Sequence, residues 1–183
     1  MSEKGRKQGE CLASRQVYQG RSFRFDIDRV RLPNGVEMDF EMVHHPGAAA
    51  IVPVLPDRNV LMIRQYRYAT GGWLLEVPAG KLDVEDEPPL ETAKRELAEE
   101  IGKAAADWRE VASFYTSPGF TNEQVTVYAA TGLSEAQAES DEEERIEIVA
   151  WPLERLDEAI ADCHDSKSLI GLLWLARERD RAR

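Results

Sequence analysis

GKLDVEDEPPLETAKRELAEEIG, residues 80–102, is the stretch of this sequence that decides its fold. Its apolar residues recur at spacings of three and four, which places them on one face of a helix: Leu90, Ala93, Leu97 and Ile101. Pro88 and Pro89 are compatible with that helix only at or before its first turn, where no backbone N–H is needed. Gly102 suits the left-handed conformation that ends a helix. The sequence therefore predicts one amphipathic helix with a defined start and end.

Three glutamates are crowded on this predicted helix. Glu96 and Glu100 are four residues apart and share a face, and Glu99 lies beside them. Like charges at this spacing destabilise a helix by roughly a few tenths of a kcal/mol per pair, so something must offset the repulsion. A hard divalent cation, which prefers oxygen ligands, would offset it. The alternative is an acidic helix face that is simply solvated.

The same stretch resembles the Nudix box, which marks hydrolases that act on nucleoside diphosphates linked to another group. The matching residues are Gly80, Glu87, Arg95, Glu96, Leu97, Glu99, Glu100 and Gly102. Between Gly80 and Glu87 the sequence has one residue more than the family pattern, in a loop where an insertion is tolerated. Lys103 stands where the pattern usually has an apolar residue.

The resemblance implies a metal site and a role for each matching residue. Glu96, Glu99 and Glu100 would bind two or three Mg²⁺ ions (or Mn²⁺), with the backbone carbonyl of Ala79 as a further ligand. Arg95 would not touch the metal. It would pair with Glu87 and hold the helix against the preceding loop. Gly80 and Gly102 would support the loop and the helix end.

Composition limits the class of protein. At 183 residues, with 43% hydrophobic residues, the chain is predicted to form one domain with a real core. No apolar run is long enough for a membrane span, and the N-terminus has no signal-peptide core, so we expect no membrane partner and a cytoplasmic protein. The net charge of −11 argues against a nucleic-acid partner. Cys11 and Cys163 are interpreted as free thiols.

The rest of the chain alternates strand patterns with turns. Strands are predicted over residues 16–24, 25–32, 36–43, 48–55, 60–65, 73–77, 108–115, 124–131 and 146–151. Asn34-Gly35 indicates a hairpin turn. Helices are predicted over residues 153–163 and 167–179, the second with Leu169, Leu172, Leu173 and Ala176 on one face. The adjacent His44 and His45 are not predicted to bind metal together, because neighbours on a strand point to opposite faces.

This order of elements indicates an α+β fold with a mixed sheet between helices. The resemblance implies the Nudix α/β/α sandwich over residues 46–183. It also implies an N-terminal layer of antiparallel strands, residues 15–45, of a kind that often pairs or swaps in a homodimer. Residues 1–14 are predicted to be a mobile N-terminal tail.

Several further stretches resemble the ADP-ribose pyrophosphatase branch of the family. They are Gln65-Tyr66-Arg67, Leu75 to Gly80, Ser117 to Glu123, Asp141 to Glu144 with Ile146-Glu147-Ile148, and Asp165 to Ser168. The predicted substrate contacts are Arg67, Glu76, Pro118, Gly119, Phe120 and Glu123. Arg67 would bind the diphosphate, unless it is only a surface arginine. Glu76 would accept hydrogen bonds from a ribose, or form a structural ion pair.

Pro118 and Gly119 would shape the wall against the terminal ribose, or form only a turn. Glu123 would reach sugar hydroxyls. Phe120, with Tyr66 and Tyr68, is a candidate for stacking on adenine, although most aromatic residues belong to cores.

The acidic loop is the predicted source of the general base. Cations depress the pKa of the carboxylates that bind them, so metal-binding glutamates are poor proton acceptors. A water that attacks phosphorus still needs a base within hydrogen-bond reach, and a loop carboxylate can supply it. The resemblance places this base at Glu142 or Glu143, and a further metal contact at Glu144. Glu99 is the next candidate for the base, and a solvated charge run is the alternative for the loop.

The resemblance therefore implies hydrolysis of ADP-ribose, a small nucleoside diphosphate sugar, to AMP and ribose 5-phosphate. Two alternatives stay open. One is hydrolysis of another nucleoside diphosphate sugar, such as GDP-mannose or UDP-glucose. The other is a catalytically silent nucleotide sensor on the same fold, since a fold does not fix a function.

Overall fold

The computed structural model describes residues 8–137 and 146–181. The chain divides into two compact units. The first unit is Met1–Pro46 with Tyr115–Glu123, and the second unit is Gly47–Phe114 with Gln124–Arg183. None of the helices in the described ranges has the length and apolar character that a membrane span requires.

The first unit contains an antiparallel sheet in the order β1-β2-β3. Its strands are β1 (Glu10–Gln19), β2 (Arg24–Arg31) and β3 (Glu37–His44). The predicted turn at Asn34-Gly35 joins β2 to β3, with Gly35 at a φ of +87° that favours glycine.

The first strand starts earlier than the sequence indicated. Residues 10–14, which were assigned to the mobile tail, pair with β2, and the ladder reaches Glu10 opposite Arg31. An ion pair of 2.9 Å between these two side chains lies at the end of the ladder. The extension had no apolar signal because every residue of β1 is exposed in this unit.

The second unit contains two sheets and three helices within its described residues. One sheet has the order β7-β4-β9-β8, and the other has the order β10-β5-β6. The elements are β4 (Ala48–Pro53), β5 (Asn59–Arg67), β6 (Gly72–Glu76), β7 (Ala79–Lys81), α1 (Pro89–Ile101), β8 (Lys103–Tyr115), β9 (Gln124–Glu135), β10 (Ile146–Pro152), α2 (Leu156–Asp162) and α3 (Ser166–Arg181). Because β4 and β9 are parallel and the other registered pairs are antiparallel, the unit is mixed.

Strand β4 lies at the centre of the second unit and is buried on both faces. Ala50 and Val52 pack in one hydrophobic cluster with residues of α2 and α3, which are Leu156, Ala159, Leu172 and Leu175. Ala49 and Ile51 pack in a second cluster with residues of α1, which are Ala93, Leu97 and Ile101. Successive side chains of a strand point to opposite faces. Helices therefore cover both sides of the sheet, and the predicted α+β fold with an α/β/α sandwich is confirmed.

Helix α1 begins and ends where the sequence predicted. Pro88 is its N-terminal cap and Pro89 its first residue. Gly102 has a φ of +70°, and its N–H donates to the carbonyl of Ala98 at 3.0 Å. Lys103, which stands where the family pattern usually has an apolar residue, does not disturb the end of the helix. It begins β8 directly after Gly102.

Helix α3 buries the predicted face except at Leu173. Leu172 is buried, and Leu169 and Ala176 are partly buried against the same core cluster, whereas Leu173 is 55% exposed. The other buried residues of the helix are Ser168, Gly171 and Leu175. A Cβ at Gly171 would lie 2.6 Å from Cγ2 of Val52, so this glycine lets the helix approach the sheet closely. The prediction counted leucines and missed the small residues that permit the contact.

Candidate active site

Arg95 is the centre of a hydrogen-bond network on α1. Its Nη1 donates to Oε1 of Glu96 at 2.8 Å and to Oε2 of Glu99 at 2.9 Å. Its Nη2 donates to Oε2 of Glu87 at 3.2 Å, which ties the helix to the loop before it. Thr92 donates to the same Glu87 oxygen at 2.7 Å. The contact expected between Arg95 and Glu87 is present, and the same guanidinium also holds two of the crowded glutamates.

These contacts move the pKa values of Arg95 and Glu87 apart. Burial opposes the charge on Arg95, but the hydrogen bond to Glu87 and the charge of Glu96 raise the pKa of Arg95 above its ordinary value. Hydrogen bonds from Arg95 and from Thr92 lower the pKa of Glu87. Both groups are therefore charged at neutral pH.

Strand β7 brings its backbone against the glutamates of α1. A Cβ built on Gly80 would lie 1.9 Å from Cδ of Glu96, so any side chain there would push this carboxylate away. The backbone N–H of Ala79 donates to Oε2 of Glu100 at 3.0 Å. Gly80 is therefore needed for the close approach of β7 to α1.

The donor set on α1 fits a hard divalent cation. Nη1 of Arg95, a positive group, lies within hydrogen-bond distance of both Glu96 and Glu99. Carboxylates and backbone carbonyls are the ligands that Mg²⁺ and Mn²⁺ prefer. In this structure the ligand atoms of Glu96, Glu99 and Glu100 do not all lie within 4.8 Å of one another. The carboxylates of Glu96 and Glu99 accept hydrogen bonds from Arg95, and that of Glu100 accepts one from the N–H of Ala79.

Glu76, the last residue of β6, is 1% exposed and fully engaged. Arg67, at the end of β5, donates Nε to Oε1 at 2.7 Å and Nη2 to Oε2 at 2.8 Å. Lys167 in α3 donates to Oε2 at 2.5 Å. Both carboxylate oxygens are therefore used. The structural ion pair, which was the alternative to a direct sugar contact, is the arrangement present.

This ion pair fixes the orientation of Arg67. Burial alone would raise the pKa of Glu76, but hydrogen bonds from Arg67 and the charge of Lys167 outweigh it and lower the pKa. The side chain of Arg67 is 38% exposed. A planar guanidinium held by two bonds to a buried carboxylate presents its charge in a defined direction, which suits binding of phosphate oxygens.

The start of α3 is attached to the strand that carries Glu76. Oδ2 of Asp165 accepts hydrogen bonds from the N–H of Ser168 at 3.0 Å and from its hydroxyl at 2.6 Å. The Ser168 oxygen in turn accepts the N–H of Val77 at 2.8 Å. The motif Asp165 to Ser168 was recognised in the sequence without a role. Its role here is to place Lys167 against Glu76, which sequence reasoning missed.

The other predicted substrate contacts belong to the first unit. Three of them are exposed: Pro118, Gly119 and Phe120. Glu123 is held by Thr116, whose hydroxyl donates to Oε2 at 2.7 Å, and by His45, whose Nδ1 is 3.5 Å from Oε1. The predicted base, Glu142 or Glu143, and the predicted metal contact Glu144 lie outside the described residues.

Comparison with known proteins gives consistent similarities. Residues 44–170 match the model of the NUDIX domain family. The chain is 43% identical over 143 residues to an ADP-ribose pyrophosphatase of Mycobacterium tuberculosis (strain ATCC 25618 / H37Rv), covering 78% of this chain and 69% of that protein. It is 36% identical over 170 residues to an ADP-ribose pyrophosphatase of Bacillus subtilis (strain 168), covering 91% of each.

The solved structures add the fold. A crystal structure of an ADP compounds hydrolase superposes with a TM-score of 0.83 over 98% of both chains, at 24% identity.

Proposed function

This chain belongs to the Nudix hydrolase family, and on that premise we propose that it hydrolyses the diphosphate linkage of ADP-ribose. The products would be AMP and ribose 5-phosphate. The observation that carries the proposal is the arrangement of Glu96 and Glu99 around the guanidinium of Arg95, beside the backbone of β7 at Gly80. The choice of substrate is supported by two relatives that are named ADP-ribose pyrophosphatases.

The residues of α1 have two kinds of role in this proposal. Glu96, Glu99 and Glu100, with the carbonyl of Ala79, hold two or three Mg²⁺ or Mn²⁺ ions. Divalent metal dependence is general for this family. When bound, such ions neutralise the charge that develops on the diphosphate and lower the pKa of a bound water. Arg95 anchors the helix to Glu87 and stays charged, so it would not compete with the carboxylates as a ligand.

Arg67 is the proposed protein ligand of the diphosphate in the second unit. Glu76 and Lys167 act on it indirectly: they fix the guanidinium, so that little side-chain entropy is lost when the substrate binds. Pro118, Gly119, Phe120 and Glu123 keep their predicted roles at the sugar and the base as part of the proposal.

The proton acceptor is proposed to be Glu142 or Glu143, and Glu144 is proposed as a further metal contact. The argument is chemical: Glu96, Glu99 and Glu100 are committed to the metal, and a carboxylate that binds a cation is a weak base. A base that is not a tight metal ligand is therefore needed within reach of the attacking water.

The strand layer of the first unit is proposed to form a homodimer. Every residue of β1 is exposed in the single chain, including Leu12, Val17 and Tyr18. A three-stranded sheet with an exposed apolar edge gains stability by packing against another surface. Light scattering at micromolar concentration should give twice the chain mass of 20.7 kDa. A fully active monomer would contradict this part of the proposal.

A substrate panel tests the proposed activity. ADP-ribose, GDP-mannose and UDP-glucose are incubated separately with the full chain and Mg²⁺, and release of AMP, GMP or UMP is measured. The highest kcat/KM is expected for ADP-ribose, with AMP as product. Preference for GDP-mannose or UDP-glucose would replace the substrate but keep the reaction. Binding of ADP-ribose without release of AMP would favour the sensor alternative.

A further inference from the structure

A second group of potential metal ligands lies in the first unit, away from the sequence of α1. Asp26 and Asp28 are on β2, and His44 ends β3. One ligand atom from each of these residues lies within 4.8 Å of the others. Within residues 8–137 and 146–181, this is the one group of three or more His, Cys, Asp or Glu residues that meets this limit.

The strand register explains why these residues meet. Positions 24, 26 and 28 of β2 alternate with their neighbours and therefore share one face of the sheet. His44 pairs directly with Arg24 across the two strands, so its side chain is on the same face as that of Asp26. Nε2 of His44 is 3.2 Å from Oδ2 of Asp26.

Oδ1 of Asp26 and Oδ1 of Asp28 are buried and have no hydrogen-bond partner among the described residues. Nε2 of His44 is also buried and makes no hydrogen bond within the described part of the chain, although it lies 3.2 Å from Oδ2 of Asp26. Asp26 is 3% exposed as a residue, so water cannot readily solvate its carboxylate. Leaving a buried carboxylate oxygen without a partner is unfavourable, because the oxygen loses its hydrogen bonds with water and gains none in the protein. Such groups call for a partner that is an ion or an ordered molecule.

Arg24 supplies only part of the missing interaction. Its Nε donates to Oδ2 of Asp26 at 2.7 Å, which balances one carboxylate and fixes its orientation. The remaining oxygen of Asp26 and the buried oxygen of Asp28 are acceptors, and Nε2 of His44 is an acceptor or metal ligand in the tautomer that carries its proton on Nδ1. A cation satisfies three acceptors at once, which no single hydrogen-bond donor does.

We propose that Asp26, Asp28 and His44 form a metal site that binds one Zn²⁺ per chain. Imidazole nitrogen with carboxylate oxygen suits zinc, whereas Mg²⁺ prefers oxygen ligands and keeps several waters. Three protein ligands leave one position of a tetrahedral zinc ion for water. The hydrogen bond from Arg24 to Asp26 orients a ligand, which is the usual function of residues around a metal site.

The site joins β2 to β3, so its expected effect is on stability. Both strands belong to the three-stranded sheet of the first unit, and a small sheet gains much from a bound metal. A metal that binds only the folded protein raises the midpoint of thermal unfolding, and above its Kd the stabilisation grows with the logarithm of the metal concentration. This role is separate from hydrolysis and does not depend on the proposed substrate.

Zinc binding to the full chain tests the proposal. The protein is dialysed against Zn²⁺ in excess Mg²⁺, which fills the sites on α1, and bound zinc is measured by mass spectrometry of the metal. His44→Gln and Asp28→Asn remove one ligand each. Loss of a residue that only supports a ligand weakens binding about 10–100-fold, so loss of a ligand is expected to weaken it at least about 100-fold.

Two matched controls keep the result specific. His164→Gln removes an exposed histidine between α2 and α3. Asp39→Asn removes an exposed aspartate on β3 that pairs with Arg29 at 3.2 Å. Both controls should bind zinc as the wild type does. Cooperative thermal unfolding checks that each variant folds. If His44→Gln does not fold, zinc binding by Asp28→Asn decides the outcome.

The expected result is one zinc per chain in the wild type, lost in both ligand variants and kept in both controls, with a rise in the unfolding midpoint on addition of zinc. Three results would overturn the site. They are a wild type that binds no zinc in excess Mg²⁺, ligand variants that bind as the wild type does, or a control that loses the metal. An arginine of a second chain filling the cluster would give the first of these results.

Discussion

Two acidic regions of this protein differ in how their carboxylates are satisfied. In the loop before α1, Glu87 accepts hydrogen bonds from Arg95 and Thr92, and on α1 itself Glu100 accepts one from the backbone N–H of Ala79. In the strand cluster formed by Asp26, Asp28 and His44, one buried atom of each residue has no hydrogen-bond partner among the described residues. The helix carries more acidic residues than the strand cluster. The strand cluster, however, is the one with buried carboxylate oxygens that have no hydrogen-bond partner among the described residues.

The difference teaches how to interpret acidic residues. Crowding of glutamates on a helix face is evident from their spacing. In the structure, Arg95 and the backbone N–H of Ala79 offset the repulsion between these carboxylates without a metal. Burial is not visible in the sequence, and it is burial that makes an unpartnered carboxylate expensive. The helix carboxylates can therefore exchange their partners for a catalytic metal at low cost, whereas the strand cluster calls for a resident ion.

Removal of all divalent metal should have the largest effect and should separate the two regions. In EDTA, hydrolysis of ADP-ribose is expected to fall to background, because metal-bound charge stabilisation and water activation are lost together. Added Mg²⁺ should restore turnover but not the unfolding midpoint, which should return only with Zn²⁺. Activity assays and thermal unfolding on the same samples measure both. Full turnover in EDTA would remove the metal model of α1.

The loop carboxylates extend the comparison to groups that act without holding metal tightly. The double substitution Glu142→Gln with Glu143→Gln should lower kcat by roughly 10²- to 10⁴-fold and leave KM nearly unchanged, because a base acts in the transition state. The two single variants and Glu144→Gln are titrated with Mg²⁺ as controls. Only Glu144→Gln should shift the Mg²⁺ concentration at half-maximal rate. If the double variant keeps more than about a tenth of kcat, the base is elsewhere and Glu99 is the next candidate.

Glu100→Gln tests the proposed catalytic role of the helix carboxylates. We expect kcat to fall by about 10²-fold or more, a loss of roughly 3 kcal/mol of transition-state stabilisation. The unfolding midpoint should hold or rise, since a like charge leaves the helix. Glu91→Gln is the matched control on α1, because Glu91 is exposed and forms an i,i+3 ion pair of 2.8 Å with the exposed Lys94. Wild-type kcat at saturating Mg²⁺ would contradict a metal-ligand role for Glu100, and zinc binding should be equal in all three proteins.

Glu76→Gln measures the stability held by a fully paired buried carboxylate. The change removes the buried anion shared by Arg67 and Lys167, and it should lower the free energy of unfolding by about 3 kcal/mol. This is towards the lower end of the range for broken buried pairs, because Arg67 is partly exposed and Lys167 keeps its ion pair with Asp165 at 2.9 Å. Glu91→Gln, at the surface, should change it by less than about 0.5 kcal/mol. Urea unfolding at neutral pH measures the free energy of unfolding of the wild type, Glu76→Gln and Glu91→Gln for this comparison.

The pH dependence of that difference has a definite sign. The folded pKa of Glu76 is lowered, so its stabilising contribution is present above the unfolded value of about 4.3 and is lost as the pH falls through the folded pKa. The gap between wild type and Glu76→Gln should therefore narrow below about pH 4.3. A gap that is independent of pH down to the acid unfolding transition would show that the ion pair contributes little.

Much of the second unit could be predicted because its signals are local. The spacing of Leu90, Ala93, Leu97 and Ile101 gave α1, and Pro89 and Gly102 gave its ends. On α3 only Leu173 was wrongly placed on the buried face, and the close contact that Gly171 permits is one that no count of leucines reveals. The start of β1 was also missed, because an exposed strand held by its backbone ladder has no apolar alternation to detect.

The sequence by itself determined the order of elements, the helix with its glutamates, the family and the pairing of Arg95 with Glu87. These depend on residues close together in the chain or on a long motif. The tertiary structure alone decided that Glu76 is held by both Arg67 and Lys167, and that Asp26, Asp28 and His44 converge. Strand register and helix packing bring these residues together from distant positions, and only burial reveals which of their polar atoms need a partner.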